Sequence, residues 1–234
     1  MNTRYDVLLC DADNTIFDFN KAEEYAFADT CAHMGFEATD ALLAVYSEIN
    51  EALWKLFEQG GITQKDLRVR RFEQFLAAIG KGDLNAQEMS EAFVRSLGQQ
   101  SVPIDGAIEA VKRWSEIVPV IIVTNGIAKV QHGRMEKSEV RHFIRGMVIS
   151  EEVGAAKPDP KMIFEGMKLA NVSDKSRVLM LGDSLSSDIA AAANAGVDAC
   201  WYNPNGAKNG KNLPVRFEIA DLDEVDAILT GERA

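Results

Sequence analysis

The chain has 234 residues, 47% hydrophobic and 26% charged, a balance that excludes a disordered polymer and supplies one large domain, or a core with a modest second unit. Its formal net charge is −11, from 25 basic and 36 acidic residues, which makes a nucleic-acid polymer or an anionic membrane surface an unexpected partner. A small anionic substrate remains open, since a bound metal and one or two local cations reverse the sign inside a cleft.

The first residues lead directly into a strand-like run, which reads as a chain without a signal peptide. No apolar stretch reaches the roughly 18–20 residues that a membrane-spanning helix needs. Cys10, Cys31 and Cys200 are too few and too scattered for a disulfide framework or a zinc site, and they read as buried small hydrophobes. A reduced cytoplasm is the expected setting.

Short apolar runs at 5–10, 118–123, 147–149, 178–181 and 199–202 are rich in Val, Ile and Leu and end at polar or glycine-rich turns, as buried parallel strands do. Helical patterns lie between them at 104–116, 129–137, 160–170 and 187–195, the last closed by Gly196. The alternation predicts an α/β fold with a doubly wound parallel sheet, Rossmann-like in its core. Residues 20–98 break it with four amphipathic patterns, at 20–34, 40–58, 63–79 and 86–97; Thr63 with Asp66 resembles a capping pair at the third. The expected organisation is therefore a catalytic core of residues 1–16 and 101–234 carrying a helical cap domain of residues 17–100, inserted after the first strand.

Ligands of open α/β sheets bind outside the carboxyl ends of the strands. The expected strands deliver Asp11-Ala12-Asp13-Asn14-Thr15, then Thr124-Asn125-Gly126, then Lys157-Pro158-Asp159-Pro160, then Gly182-Asp183 with Asp188 just beyond. Any one of these residues alone is commonly a turn former, a cap or a solvated charge. Together, at one edge, they suit phosphoryl transfer. Asp11 is the candidate nucleophile and Asp13 the group that protonates the leaving oxygen and then activates water. The carboxylates of Asp11 and Asp183, with the backbone carbonyl of Asp13, offer hard oxygen ligands for Mg²⁺, with Asp188 behind them; Mn²⁺ and Co²⁺ accept the same donors. The Thr124 hydroxyl and the Lys157 ammonium are placed to hold non-bridging phosphate oxygens, helped by backbone N–H groups around Asn125 and Gly126.

These four motifs, in this order, resemble those of the haloacid dehalogenase-like hydrolases, and the insertion after the first motif resembles the helical cap of that family. The resemblance implies that Asp11 becomes an aspartyl-phosphate. Family members that cleave carbon–halogen bonds generally lack the second acid of the first motif; Asp13 is present here, which favours a phosphatase. Asn14 stands where the family usually has Gly. With Asn50-Glu51-Ala52-Leu53-Trp54, Gly60-Gly61-Ile62-Thr63 and Ile149-Ser150-Glu151-Glu152-Val153-Gly154, this departure resembles the pyrimidine 5′-nucleotidase branch. The implied substrate is a small phosphorylated metabolite, a nucleoside monophosphate such as dUMP, UMP or dTMP, handled by a monomer or homodimer. A sugar-phosphate or phosphoglycolate phosphatase is the alternative within the family. More remote are a phosphoacceptor signalling module and a binding protein that has lost catalysis. Phe17, Phe19 and Trp54 are candidate stacking partners for a base, although aromatics on amphipathic helices more often pack in a core. Arg68, Arg70 and Arg71 form a basic patch on a cap helix. Trp114 and Trp201 read as structural.

Overall fold

The computed structural model describes residues 3–210 and 212–233. Six strands form one wholly parallel sheet in the order β3-β2-β1-β4-β5-β6. They are β1 (Val7–Cys10), β2 (Val120–Thr124), β3 (Gly146–Ile149), β4 (Val178–Gly182), β5 (Asp198–Tyr202) and β6 (Phe217–Ile219). The helices are α1 (Phe19–His33), α2 (Asp40–Glu58), α3 (Gln64–Ala78), α4 (Ala86–Leu97), α5 (Ala107–Ile117), α6 (Ala128–Lys137), α7 (Ser150–Val153), α8 (Lys161–Ala170), α9 (Ala190–Ala195) and α10 (Glu224–Thr230). Among the described residues, no helix is long and apolar enough to cross a membrane.

Contacts group the chain into two compact units. One takes in the chain up to Asp18, then Val102–Ala128 and everything from Ser138 onward; the other is Phe19–Ser101 together with Lys129–Lys137.

In the first unit the central strands are apolar on both faces because helices cover both. Val7, Leu9, Ile121 and Val123 pack against Met162, Ile163 and Met167 of α8 and the small residues Ala191, Ala192 and Ala195 of α9. Leu8, Cys10 and Ile122 alternate to the other face, and α5 and α10 contribute buried Val111, Trp114, Val225, Ile228 and Leu229. Arg113 ties these two helices by bonding Asp226 at 2.7 Å and also Asp223. The chain winds outward through β1, β2 and β3 and returns at β4 on the other side of β1, so the strand order reverses between β1 and β4. That reversal opens a crevice at the carboxyl ends of these two strands. All three cysteines are buried and unbridged.

In the second unit an aromatic cluster holds α1, α2, α3 and α4 together. Tyr46 stacks on Phe27 and Phe72, at 5.0 and 5.3 Å between centroids, while Phe75 and Phe93 approach it tilted or edge-on. Thr39, Thr63 and Asn85 cap α2, α3 and α4 by accepting backbone N–H bonds, each worth about 1 kcal/mol. Thr63 accepts from the Asp66 N–H, as the spacing of those two residues suggests.

Besides the four-residue helix α7, two elements escape the sequence reading, β6 and α10. The first is three residues at the sheet edge with buried, exposed and buried positions in turn, and it follows an Asn-, Gly- and Pro-rich loop. The second has seven residues and no side-chain cap. Neither is long enough to build a period. The helix expected from 187 to 195 instead starts as a π-helical turn, Leu185–Ile189, before continuing as α9.

Candidate active site

The site is built by strand ends of the first unit. Asp11 follows β1 and is anchored by its backbone N–H to the Leu181 carbonyl of β4 at 2.9 Å. Asn14, in the loop after it, adopts φ 57°, a left-handed conformation that Asn tolerates better than most residues other than Gly. Asn at this position therefore meets the same backbone demand as the glycine expected there. The Thr15 hydroxyl reaches the Asp183 carboxylate at 3.5 Å.

Lys157 lies at the centre. Its ammonium is 2% exposed and donates to three acceptors, each at 2.6 Å: a carboxylate oxygen of Asp11, the Val123 carbonyl and a carboxylate oxygen of Asp188. Burial works against its charge, but the two carboxylates outweigh burial and hold it above the ordinary lysine range. Asn125 fixes the backbone of this lysine from both sides. The Asn125 amide donates to the Lys157 carbonyl at 2.8 Å and accepts the Lys157 N–H at 2.7 Å. The Lys157–Pro158 peptide is cis.

The acids outnumber this cation. Asp11, Asp183 and Asp188 bring carboxylate oxygens within 4.8 Å of one another. Three negative charges against one ammonium leave two uncompensated when all are ionised. Burial, reinforced by Asp188, Asp183 and Asp13, pushes the Asp11 carboxyl well above its usual range, and Lys157 offsets this only in part. Burial, then the charge of Asp188, pushes Asp183 up to about 7. Hard oxygen donors with a local charge deficit suit a divalent cation. Asp188 has both oxygens engaged, one by Lys157 and one by the Ser184 N–H at 3.0 Å, so the less committed donors belong to Asp11 and Asp183.

Thr124 closes β2, is 1% exposed and accepts the Gly126 N–H on its hydroxyl oxygen at 3.0 Å, which leaves the hydroxyl hydrogen available. Asp13 is partly exposed beside Asp11. Phe17 is completely buried and pairs its backbone with the chain near Pro103, so its ring is a core residue of this unit and presents no stacking face. Phe19 opens α1 and Trp54 lies on α2, both partly buried in the second unit, with Trp54 edge-on to Phe57 at 5.5 Å.

Sequence reasoning missed three contributors. The Trp201 indole donates to the Asp183 carbonyl at 2.8 Å and so braces the loop that carries this acid. The Asn125 clamp joins residues 32 positions apart. Gly182 lies under Asp188: a Cβ there would sit 2.3 Å from its carboxyl carbon. Only the last had a sequence signal, a glycine at a buried strand end just before two acids.

A model of haloacid dehalogenase-like hydrolases matches residues 8–202. The chain is 30% identical to pyrimidine 5′-nucleotidase YjjG of Escherichia coli over 226 residues, covering 97% of this chain and 98% of that protein. It is 31% identical to pyrimidine 5′-nucleotidase PynA of Streptococcus pneumoniae, covering 94% and 93%. The crystal structure of the HAD-hydrolase YfnB of Bacillus subtilis, bound to magnesium, superposes with a TM-score of 0.90 at 30% identity, covering 97% of this chain and 99% of that one. The chain belongs to the haloacid dehalogenase-like hydrolases and is related to the pyrimidine 5′-nucleotidases within them.

Replacing Gly182 by Ala should displace Asp188, loosen the grip on Lys157 and destabilise the protein by about 1–3 kcal/mol in urea unfolding. An unchanged midpoint would mean that the turn absorbs the extra methyl without moving the acid.

Proposed function

We propose that this hydrolase cleaves the phosphomonoester of a pyrimidine nucleoside 5′-monophosphate through an aspartyl-phosphate on Asp11. The observation that carries the substrate is the extent of the similarity. Identity to two pyrimidine 5′-nucleotidases runs over nearly the whole chain, helical insertion included. We assign that insertion, expected over residues 17–100 and running Phe19–Ser101 in the helical unit, the role of a cap in which substrate choice is set.

In the first step an Asp11 carboxylate oxygen bonds to phosphorus while the bond from phosphorus to the ester oxygen breaks, and Asp13 gives its proton to the departing 5′-oxygen. In the second, Asp13 takes a proton from water as that water attacks phosphorus. Inorganic phosphate leaves and the Asp11 carboxylate is restored. The Thr124 hydroxyl donates to a non-bridging oxygen, with backbone N–H groups of Asn125 and Gly126 beside it. Lys157 has three hydrogens and three protein acceptors, so contact with phosphate replaces one of those bonds. Asp188 keeps the ammonium aimed at the Asp11 side. The carboxylates of Asp11 and Asp183 and the carbonyl of Asp13 would hold Mg²⁺, which when bound offsets the repulsion between an anionic nucleophile and an anionic phosphate. The magnesium-bound YfnB structure and the acidic cluster support this choice.

Phosphate release from dUMP, UMP, dTMP, AMP, GMP, phosphoglycolate and hexose phosphates tests the substrate. The pyrimidine nucleotides should be turned over at least tenfold more efficiently than the rest, and EDTA should abolish release. A preference for sugar phosphates or phosphoglycolate would keep the chemistry and discard the substrate.

Mg²⁺ should also raise the thermal midpoint in a pH-dependent way. Asp183 has a folded pKa of about 7, above the ~3.9 of an unfolded aspartate, so its ionisation costs the metal-free fold stability as pH rises through that window. Bound Mg²⁺ relieves that cost, and below about pH 7 it must displace a proton to bind. The Mg²⁺-induced increment should therefore be larger at pH 8 than at pH 6 and should vanish in Asp183→Asn. Equal increments at both pH values would remove Asp183 from the metal site.

A further inference from the structure

The basic patch read from the sequence divides in the structure. Arg71 turns inward, 1% exposed, donating to Asn50 at 3.1 Å and lying over the rings of Phe72 and Phe93. Arg68 and Arg70 instead line a cavity of about 620 Å³, together with Lys65 from the same helix, Arg95 from α4 and Lys129 from α6. A second cavity of about 520 Å³ adjoins it and shares Val94, Arg95 and Lys129. Every residue lining the two falls in the helical unit.

Five cations facing one groove are out of keeping with a chain of net charge −11. The acids at the rim of the larger cavity are Asp66, Glu73 and Glu91, so five positive charges against three leave a local surplus of two. Two of these acids have neutral partners, Asp66 bonding the Thr63 hydroxyl at 2.7 Å and Glu91 the Gln87 amide at 2.8 Å. Among the described residues, Lys65, Arg70, Arg95 and Lys129 have no ion pair or side-chain hydrogen bond. A row of charges on one helix face is ordinarily a solvated surface. These cations come from three helices and converge on a concave space, where their mutual repulsion is relieved by a ligand of opposite charge. The volume is in the range of small-molecule sites, about 300–1,000 Å³.

We propose that this groove is a second binding site, separate from the strand-end residues, and that it takes an oligophosphate anion: the linked phosphates of a nucleoside di- or triphosphate, or inorganic polyphosphate. Charges spread over α3, α4 and α6 match several linked phosphates better than one. Lys129 sits on the helix that leaves the Thr124–Gly126 loop, so the ligand engages an element continuous in sequence with the phosphate end of the candidate active site. The inference does not depend on which phosphomonoester is cleaved.

The test is calorimetric titration of the metal-free 234-residue chain with inorganic tripolyphosphate and, separately, with ATP, at about 0.1 M salt. The expected result is saturable binding to the wild type that weakens at least tenfold in the Arg70→Gln/Arg95→Gln/Lys129→Gln protein. Lys55→Gln and Lys168→Gln, which remove exposed cations elsewhere, should stay within twofold, and thermal midpoints should confirm that all variants are folded. Binding of both probes assigns the site to linked phosphates; binding of ATP alone assigns it to nucleotides. No saturable binding, equal affinity in the triple variant, or an equal loss in the Lys55 and Lys168 variants would overturn the proposal.

Discussion

The site depends on one buried ammonium. Lys157 joins the end of β1 through Asp11, the end of β2 through the Val123 carbonyl and the turn after β4 through Asp188, while its own backbone leaves the loop after β3. Three strand ends meet at one nitrogen, which is carried by the loop that follows β3 and α7. A charge so buried is tolerated only when every hydrogen finds an acceptor, which is the arrangement found. Truncating either acid would leave one ammonium hydrogen without an acceptor, and removing the cation would leave two acids without their counter-charge. The supports around it then make sense: Asn125 fixes the lysine backbone, Gly182 makes room for Asp188, and Trp201 braces Asp183.

The same arithmetic favours a further cation at the site. One lysine serves three carboxylates, so Asp11 and Asp183 are both pushed toward their protonated forms in the metal-free protein. In the proposed mechanism the nucleophilic carboxylate must be ionised, so a divalent ion bound there would add to both function and stability. The carboxylates of the site add to the negative charge of the whole chain, so the reversal of sign that would admit an anionic substrate has to come from a bound cation beside Lys157.

The sheet was legible because its central strands are uniformly apolar and each ends abruptly in polar residues; β1, β2 and β4 follow from that contrast alone. Helices α1 to α4 were legible from period and from caps such as Thr63. β6 and α10 were not, since a three-residue edge strand and a seven-residue helix carry too few repeats to distinguish them from a loop. The motif residues could be placed at one sheet edge, but the bonds among them could not be read from spacing. The Asn125–Lys157 clamp and the Trp201–Asp183 bond join distant segments, and sequence order says nothing about which atoms meet. Phe17 and Arg71 are residue types that suit a ligand and that the fold spends on packing instead, Phe17 in the α/β unit and Arg71 among the rings of the helical one.

The most direct test of this account asks whether Asp11 carries the phosphoryl group. The Mg²⁺-loaded enzyme would be mixed with a pyrimidine nucleoside monophosphate, quenched within milliseconds and reduced with borohydride, which converts an acyl phosphate to the alcohol. Peptide mass spectrometry should then find homoserine at position 11 in a substrate-dependent amount. Modification at another carboxylate, or turnover with position 11 recovered wholly as aspartate, would contradict the central claim.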